Sequence, residues 1–147
     1  MKNQIFSTLM TGCLLVLMIV VPARAQVPGT AMHAIIPFDF IVRGKTLPAG
    51  NYEIRRIGDS PEGLVIRNVV DKNDNVVFET GAVEARTVPE RSLIIFHRYG
   101  DSYFLSEVFT AGDQTGRELA PSRAERQLRS EMASNKQEPE TVSLAVY

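Results

Sequence analysis

The chain has no tryptophan and a single cysteine, Cys13, among its 147 residues, and aromatic residues make up only 7% of the sequence. A disulfide within the chain is therefore excluded, so an apolar core and strand pairing must stabilise the fold. Basic and acidic residues number 16 and 17, without the basic excess that is typical of nucleic-acid binding. We expect no nucleic-acid partner. The composition, 44% hydrophobic and 22% charged, is that of one globular domain.

Residues 1–25 have the three-part layout of a secretory signal peptide. Lys2 gives a positive start, residues 14–21 are an uninterrupted apolar run, and residues 23–25 (Ala-Arg-Ala) supply the small side chains that signal peptidase requires. We expect cleavage before Gln26. The alternative is an uncleaved anchor, which needs about 20 apolar residues, more than this run provides.

Cleavage at that position defines the expected location and organisation of the mature protein. Cys13 leaves with the signal, and it lies ahead of the apolar run, whereas the acylated cysteine of a lipoprotein follows such a run. We expect a periplasmic or secreted protein with no membrane span after cleavage. Its predicted parts are a β-rich globular domain over 26–135 and a polar linker with a terminal edge strand over 136–147.

Short strand patterns separated by turn-forming residues recur through the mature region. Residues 52–55 alternate apolar and charged side chains, and a second apolar run covers 64–66. Pro37 interrupts the stretch 32–42, which suits a bend or an edge because proline donates no ladder hydrogen bond. The spacing predicts a mainly β fold, an antiparallel β barrel or sandwich of about seven strands with one C-terminal helix.

The strongest hairpin pattern lies between residues 93 and 109. Gly100 and Asp101 fit a two-residue turn with glycine at the position that requires positive φ, which places His97 opposite Phe104. Both faces of this hairpin are largely apolar, unlike a sheet with one face in water. An element covering the second face is therefore expected.

That cover is predicted to be a helix over 122–134. Ser122 and Glu125 form a capping box, with Ser122 as the N-cap. The predicted apolar stripe is narrow and consists of Ala124, Leu128 and Met132.

Five residues are candidates for binding: His97, Arg98, Tyr103, Glu107 and Arg117. In the predicted hairpin register, Arg98 and Glu107 share one face among apolar side chains. Charges in such surroundings tend to be paired. We expect the two to meet each other, or to reach Arg117 and Glu118, most simply as structural ion pairs.

No pattern in the sequence indicates a cofactor or a metal site. Asp71, Asn73 and Asn75 match the start of a calcium loop, but Val76 and Ala82 occupy the positions of its glycine and glutamate. The two histidines lie far apart and follow no zinc-binding spacing. A Ser-His-Asp triad would have to come from neighbours on one hairpin, which rarely reach triad geometry.

Several motifs follow one another along the chain: PFDF at 37–40, LPAGNY at 47–52, FHRYGDSYFLSE at 96–107, GREL at 116–119 and SRAER at 122–126. This series resembles a group of small exported bacterial proteins of unknown function. The resemblance implies an envelope or secreted location, and it carries over no catalytic residue.

Three functions follow from these observations as hypotheses. The leading one is a non-catalytic exported domain that binds or organises a component of the bacterial envelope, either an envelope protein or a small ligand. The second is a carrier barrel for a small apolar ligand, which requires a cavity among Tyr52, Phe78, Phe96 and Phe104. The third is a hydrolase that uses His97.

Overall fold

The computed structural model describes residues 31–147. The expected signal peptide, its cleavage site and Cys13 lie outside the described residues. The described part is mainly β, with one helix, α1 (Arg123–Ser134). Its strands are β1 (Met32–Ile36), β2 (Phe40–Val42), β3 (Lys45–Leu47), β4 (Gly50–Arg56), β5 (Gly63–Asn68), β6 (Asn75–Glu79), β7 (Gly81–Glu84), β8 (Ser92–Tyr99), β9 (Ser102–Phe109), β10 (Thr115–Glu118) and β11 (Glu140–Val146).

The strands form two sheets. The small sheet has the order β1-β4-β5-β6 and is antiparallel throughout. The large sheet has the order β11-β8-β9-β10-β7, and the β2–β3 hairpin joins it through a parallel contact between β2 and β9. Eleven strands are more than the seven expected. No closed barrel forms within residues 31–147, and the arrangement fits a sandwich.

Alternation along the strands produces the core between the sheets. In β4 the inward positions are Tyr52 and Ile54, and in β5 they are Leu64 and Ile66, all 3% exposed or less. The large sheet contributes an inner face of its own, so both sheets bury apolar side chains in one cluster. Its other buried members are Ala34, Ile36, Phe40, Val42, Leu47, Phe78, Ile94, Phe96, Leu105, Val108, Leu119 and Val146.

The β8–β9 hairpin has the predicted turn but a different register beyond its middle. Gly100 has a φ of +61°, and His97 lies opposite Phe104. The register then shifts by one residue, because Ser106 is an extra residue that forms a bulge in β9. Since a shift of one residue exchanges the faces of a strand, Glu107 lies on the outer face. The expectation that it shares a face with Arg98 was wrong.

Helix α1 packs against β8 on the outer face of the large sheet. Ser122 caps it as predicted, its Oγ accepting the Glu125 N–H at 3.1 Å. The inward-facing residues are Glu125, Leu128 and Met132, whereas Ala124 is exposed, contrary to the predicted stripe. None of the helical segments within 31–147 is both long enough and apolar enough to span a membrane.

Strand β11, in the segment after α1, pairs along its whole length with β8. Strand β11 runs antiparallel to β8, from Glu140 opposite Arg98 to Val146 opposite Ser92. Beyond it, the backbones of Tyr147 and His33 exchange two hydrogen bonds, which link the large sheet to β1 of the small sheet. These bonds and the direct passage from β6 to β7 hold the two sheets together at opposite sides.

Candidate binding sites

The structure divides the five candidate residues among three places. Arg98 and Tyr103 lie near the tip of the β8–β9 hairpin on its inner side. His97 and Glu107 lie on the outer face of the large sheet. Arg117, in β10 opposite Val108, lies at an open end of the sandwich. No single site contains all five.

The Arg98 and Tyr103 pair belongs to a structural contact. Arg98 forms an ion pair with Glu140 at 3.1 Å and donates from Nε to the carbonyl oxygen of Gly100 at 2.8 Å. Its guanidinium lies 5.4 Å from the centre of the Tyr103 ring, and that ring stacks on Phe38 at 3.9 Å. These contacts tie β11 and the β1–β2 connection to the hairpin, so Arg98 has little freedom to bind a ligand.

His97 belongs to the interface with α1. Its Nδ1 lies 3.5 Å from Glu125 Oε1, and the Tyr99 hydroxyl donates to the same oxygen at 3.5 Å. Glu125 is only 5% exposed, so the helix directs a carboxylate into the sheet surface. Burial, and next the nearby Glu125 charge, raise the pKa of the Tyr99 hydroxyl. The sequence indicated Glu125 as a capping residue and gave no sign of this contact.

Glu107 lies in a groove on the outer face, which we call the outer groove. Residues 83–89 and the outer face of β8 and β9 line this groove, whose volume is about 410 Å³. Seven apolar residues line the groove: Val83, Ala85, Val88, Pro89, Leu93, Ile95 and Phe109. Glu107 lies opposite Glu118 in the β9–β10 register. Burial first, and then the charge of Glu118, raise the pKa of the Glu107 carboxyl, while His97, the smallest of the three causes, lowers it.

Arg117 lines a cleft of about 170 Å³ at the open end of the sandwich, which we call the arginine cleft. Two further arginines, Arg55 and Arg56 at the end of β4, line it as well. Arg56 and Arg117 lie on the inner faces of their sheets, in line with the core residues Ile54 and Val108. Among the described residues, none of the three arginines forms an ion pair.

The remaining lining of the arginine cleft is apolar or hydroxyl-bearing and contains no carboxylate. Met32, Leu64 and Val108 supply the apolar part. Thr110 and Thr115 complete it, although the Thr115 hydroxyl donates to Glu84 at 2.8 Å. The cleft therefore offers guanidinium groups and one threonine hydroxyl above an apolar floor.

Sequence reasoning found Arg117 but missed Arg55 and Arg56. The two halves of the cleft come from strands far apart in the chain, and only the packing of the sheets brings them together. A useful signal was present in β4, where Arg56 continues the inward-facing series of Tyr52 and Ile54. A charged residue at an inward-facing position near the end of a strand indicates that this position lies at the open end of the sandwich.

Within residues 31–147, no group of three or more histidine, cysteine, aspartate or glutamate side chains is arranged to hold a metal ion. Comparison of the chain with protein-family models, with curated proteins and with solved structures finds no match.

Proposed function

We propose that the protein is a non-catalytic binding domain, exported to the periplasm or secreted, that takes a small anionic ligand in the arginine cleft. The observation that carries this proposal is the convergence of Arg55, Arg56 and Arg117 on one cleft whose lining contains no carboxylate. The location rests on the signal-like residues 1–25 and on the resemblance to small exported bacterial proteins.

Electrostatics favour an anion at this site. Three like charges around one cleft repel each other, and the repulsion is stronger where the sheets exclude part of the solvent. No carboxylate among residues 31–147 lies within ion-pair distance of these guanidinium groups. A guanidinium presents its N–H donors in a planar fork that matches carboxylate and phosphate oxygens. An anionic ligand would therefore both neutralise the cluster and satisfy its donors.

The apolar residues on the floor of the cleft indicate which class of anion should bind most tightly. Met32, Leu64 and Val108 lie beside the arginines, so a ligand with a short apolar body next to its anionic group would bury apolar surface as well. A bare inorganic anion would use only the charged part. We therefore expect an organic carboxylate or phosphate to bind more tightly than phosphate or sulfate.

The two alternative functions have less support. The carrier hypothesis needs open space among the interior aromatic rings. Tyr52 and Phe96 are fully buried, and the Phe40 ring lies between them, with ring centres 5.0 and 5.5 Å away. The hydrolase hypothesis relies on His97, whose Nδ1 faces the buried Glu125 carboxylate of α1. That contact gives His97 a role in attaching the helix.

Calorimetric titration of the purified protein tests the binding proposal. The probes are phosphate, hexanoate, phenyl phosphate and, as an uncharged comparison, hexanol. We expect the two organic anions to bind, and Arg117→Gln and Arg56→Gln each to weaken binding about tenfold, the usual loss when a charged hydrogen-bond partner is removed. Arg123→Gln, an exposed arginine of α1, is the matched control and should leave binding unchanged.

Two results would refute the proposal. One is that no anion binds to the wild type, and the other is that Arg117→Gln and Arg123→Gln bind the anions equally. The location is tested separately by the mass of the protein from its native envelope or medium fraction. We expect a chain that starts at Gln26, and a chain retaining residues 1–25 would contradict export with cleavage.

A further inference from the structure

The outer groove lies on a different face of the molecule from the arginine cleft, and the charge it offers a ligand has the opposite sign. Its lining is mainly apolar, and its floor carries the Glu107 carboxylate instead of a cation. Glu107 is half-buried, and its carboxylate forms no ion pair and accepts no hydrogen bond among the described residues. Among the described residues, every fully buried side-chain nitrogen or oxygen atom has a hydrogen-bond partner. Since the Glu107 carboxylate has no partner, its oxygens are accessible to solvent.

The charges around the groove favour a cation. Glu118 lies directly opposite Glu107, and Arg86 is the single cation in the lining. Glu84 also lines the groove, but its carboxylate accepts a hydrogen bond from the Thr115 hydroxyl of the arginine cleft. His97 lies two residues from Ile95 on the same face of β8, but its Nδ1 is directed at Glu125. A neutral apolar ligand would bury the Glu107 carboxylate without a partner, at a free-energy cost that a cation would remove.

We propose that the outer groove is a second binding site, and that its ligand is a small amphiphilic amine with a primary ammonium group on a short aliphatic chain. The ammonium would lie against Glu107 and Glu118, and the chain would pack along Leu93, Ile95 and Phe109. The groove volume of about 410 Å³ is within the roughly 300–1,000 Å³ that small-molecule sites occupy. Val88, half exposed at the edge of the groove, would be covered by the bound chain.

The test is a titration of the purified protein with hexylammonium chloride, followed by carbon–proton spectra of methyl groups. The methyl signals of Val88, Leu93 and Ile95 report on the outer groove. We expect these signals to shift with saturation, while the methyl signals of Leu64 and Val108 in the arginine cleft stay in place. Hexanol, which has the same chain without the charge, should bind at least about tenfold more weakly, since it lacks the charge-assisted bond.

Three variants distinguish a charge-dependent site from general adhesion to an apolar surface. Glu107→Gln keeps the shape of the side chain and should weaken hexylammonium binding at least about tenfold. Glu131→Gln removes an exposed carboxylate from α1 and serves as the matched control. Arg117→Gln should leave hexylammonium binding unchanged, because it belongs to the other site. Circular dichroism of each variant checks that the fold is retained.

The possible results separate clearly. Loss of binding in Glu107→Gln with retention in both other variants supports the proposal. It is overturned if hexylammonium does not shift the groove signals of the wild type, if hexanol binds as tightly, or if Glu107→Gln and Glu131→Gln bind equally well. Because the anion titrations monitor a separate cleft, either proposal can fail without the other.

Discussion

Glu107 and Glu118 lie directly opposite each other on β9 and β10, so two carboxylates are neighbours on the outer face of the large sheet. Like charges in directly opposed strand positions destabilise a sheet. Glu107 is also half-buried, and burial is the larger of the two causes that raise its pKa. In the free protein, the ionised form of Glu107 is therefore unfavourable. A cation bound beside the two carboxylates would reduce this free-energy cost.

Glu107→Gln should stabilise the free protein at neutral pH. A carboxyl whose pKa is raised by folding contributes stability below its usual pKa, near 4.5, and this contribution is lost as pH rises through the raised value. The variant should therefore be more stable than the wild type at pH 7, and the difference should disappear towards pH 4. Urea unfolding across this range measures it. Glu131→Gln should show no such trend, and a less stable Glu107→Gln at pH 7 would contradict the argument.

Glu53 should contribute stability with the opposite pH dependence. Its carboxylate accepts a hydrogen bond from Arg67 at 2.6 Å on the outer face of the small sheet, and this bond is the main cause of its lowered pKa. A lowered pKa stabilises the fold above the unfolded pKa, and the effect is lost as pH falls through the folded value. Because both side chains are partly exposed, we expect only about 0.5–1 kcal/mol.

Urea unfolding of Glu53→Gln tests this contribution. The variant should be less stable than the wild type at pH 7, and the difference should shrink as the pH falls towards 3. Glu62→Gln, an exposed carboxylate without a side-chain ion pair among the described residues, is the control. A loss in Glu53→Gln that is the same at both pH values would show that packing, and not charge, is responsible.

The parts of the fold that local sequence determines were predictable. The turn at Gly100 and Asp101 follows from the need for positive φ, and the start of α1 follows from the hydroxyl of Ser122. Both signals act over a few residues. The mainly β class followed from alternation, although alternation alone undercounted the short strands, which pair only because neighbouring strands are already in place.

The sites were less predictable, because each depends on long-range packing. The bulge at Ser106 has no strong local signal, yet it moves Glu107 to the other face and thereby removes the expected pair with Arg98. In the same way, Arg56 and Arg117 line one cleft only because the two sheets stack. The alternation pattern identified which residues face inward, but it did not show which inward positions lie at the open end.

Ser122→Ala should loosen α1 without affecting the sheet. The Ser122 hydroxyl satisfies the Glu125 N–H, and loss of an N-cap costs about 1 kcal/mol. Since α1 rests on the sheet through a narrow contact, hydrogen exchange of amides 125–133 should become faster while β8 and β9 stay protected. Ser130→Ala, on the exposed side of α1, is the control and should not accelerate exchange. Equal acceleration in β8 would show that the helix and the hairpin unfold together.

Gly116→Ala should destabilise the fold, although replacing a glycine within a strand by alanine usually stabilises it. A Cβ at Gly116 would overlap the Phe109 ring, which lies over β10 and forms part of the outer groove. Neither the ring, which is only 4% exposed, nor the paired backbone has room to move away, so we expect a loss of about 1–3 kcal/mol. Gly81→Ala is the matched control, because nothing lies near its Cβ position in the neighbouring strand β7. In urea unfolding, Gly81→Ala should be neutral or slightly stabilising. Equal stability of the two variants would mean that Phe109 does not hold its place over Gly116, and the apolar wall of the outer groove would then be less well defined than the contact indicates.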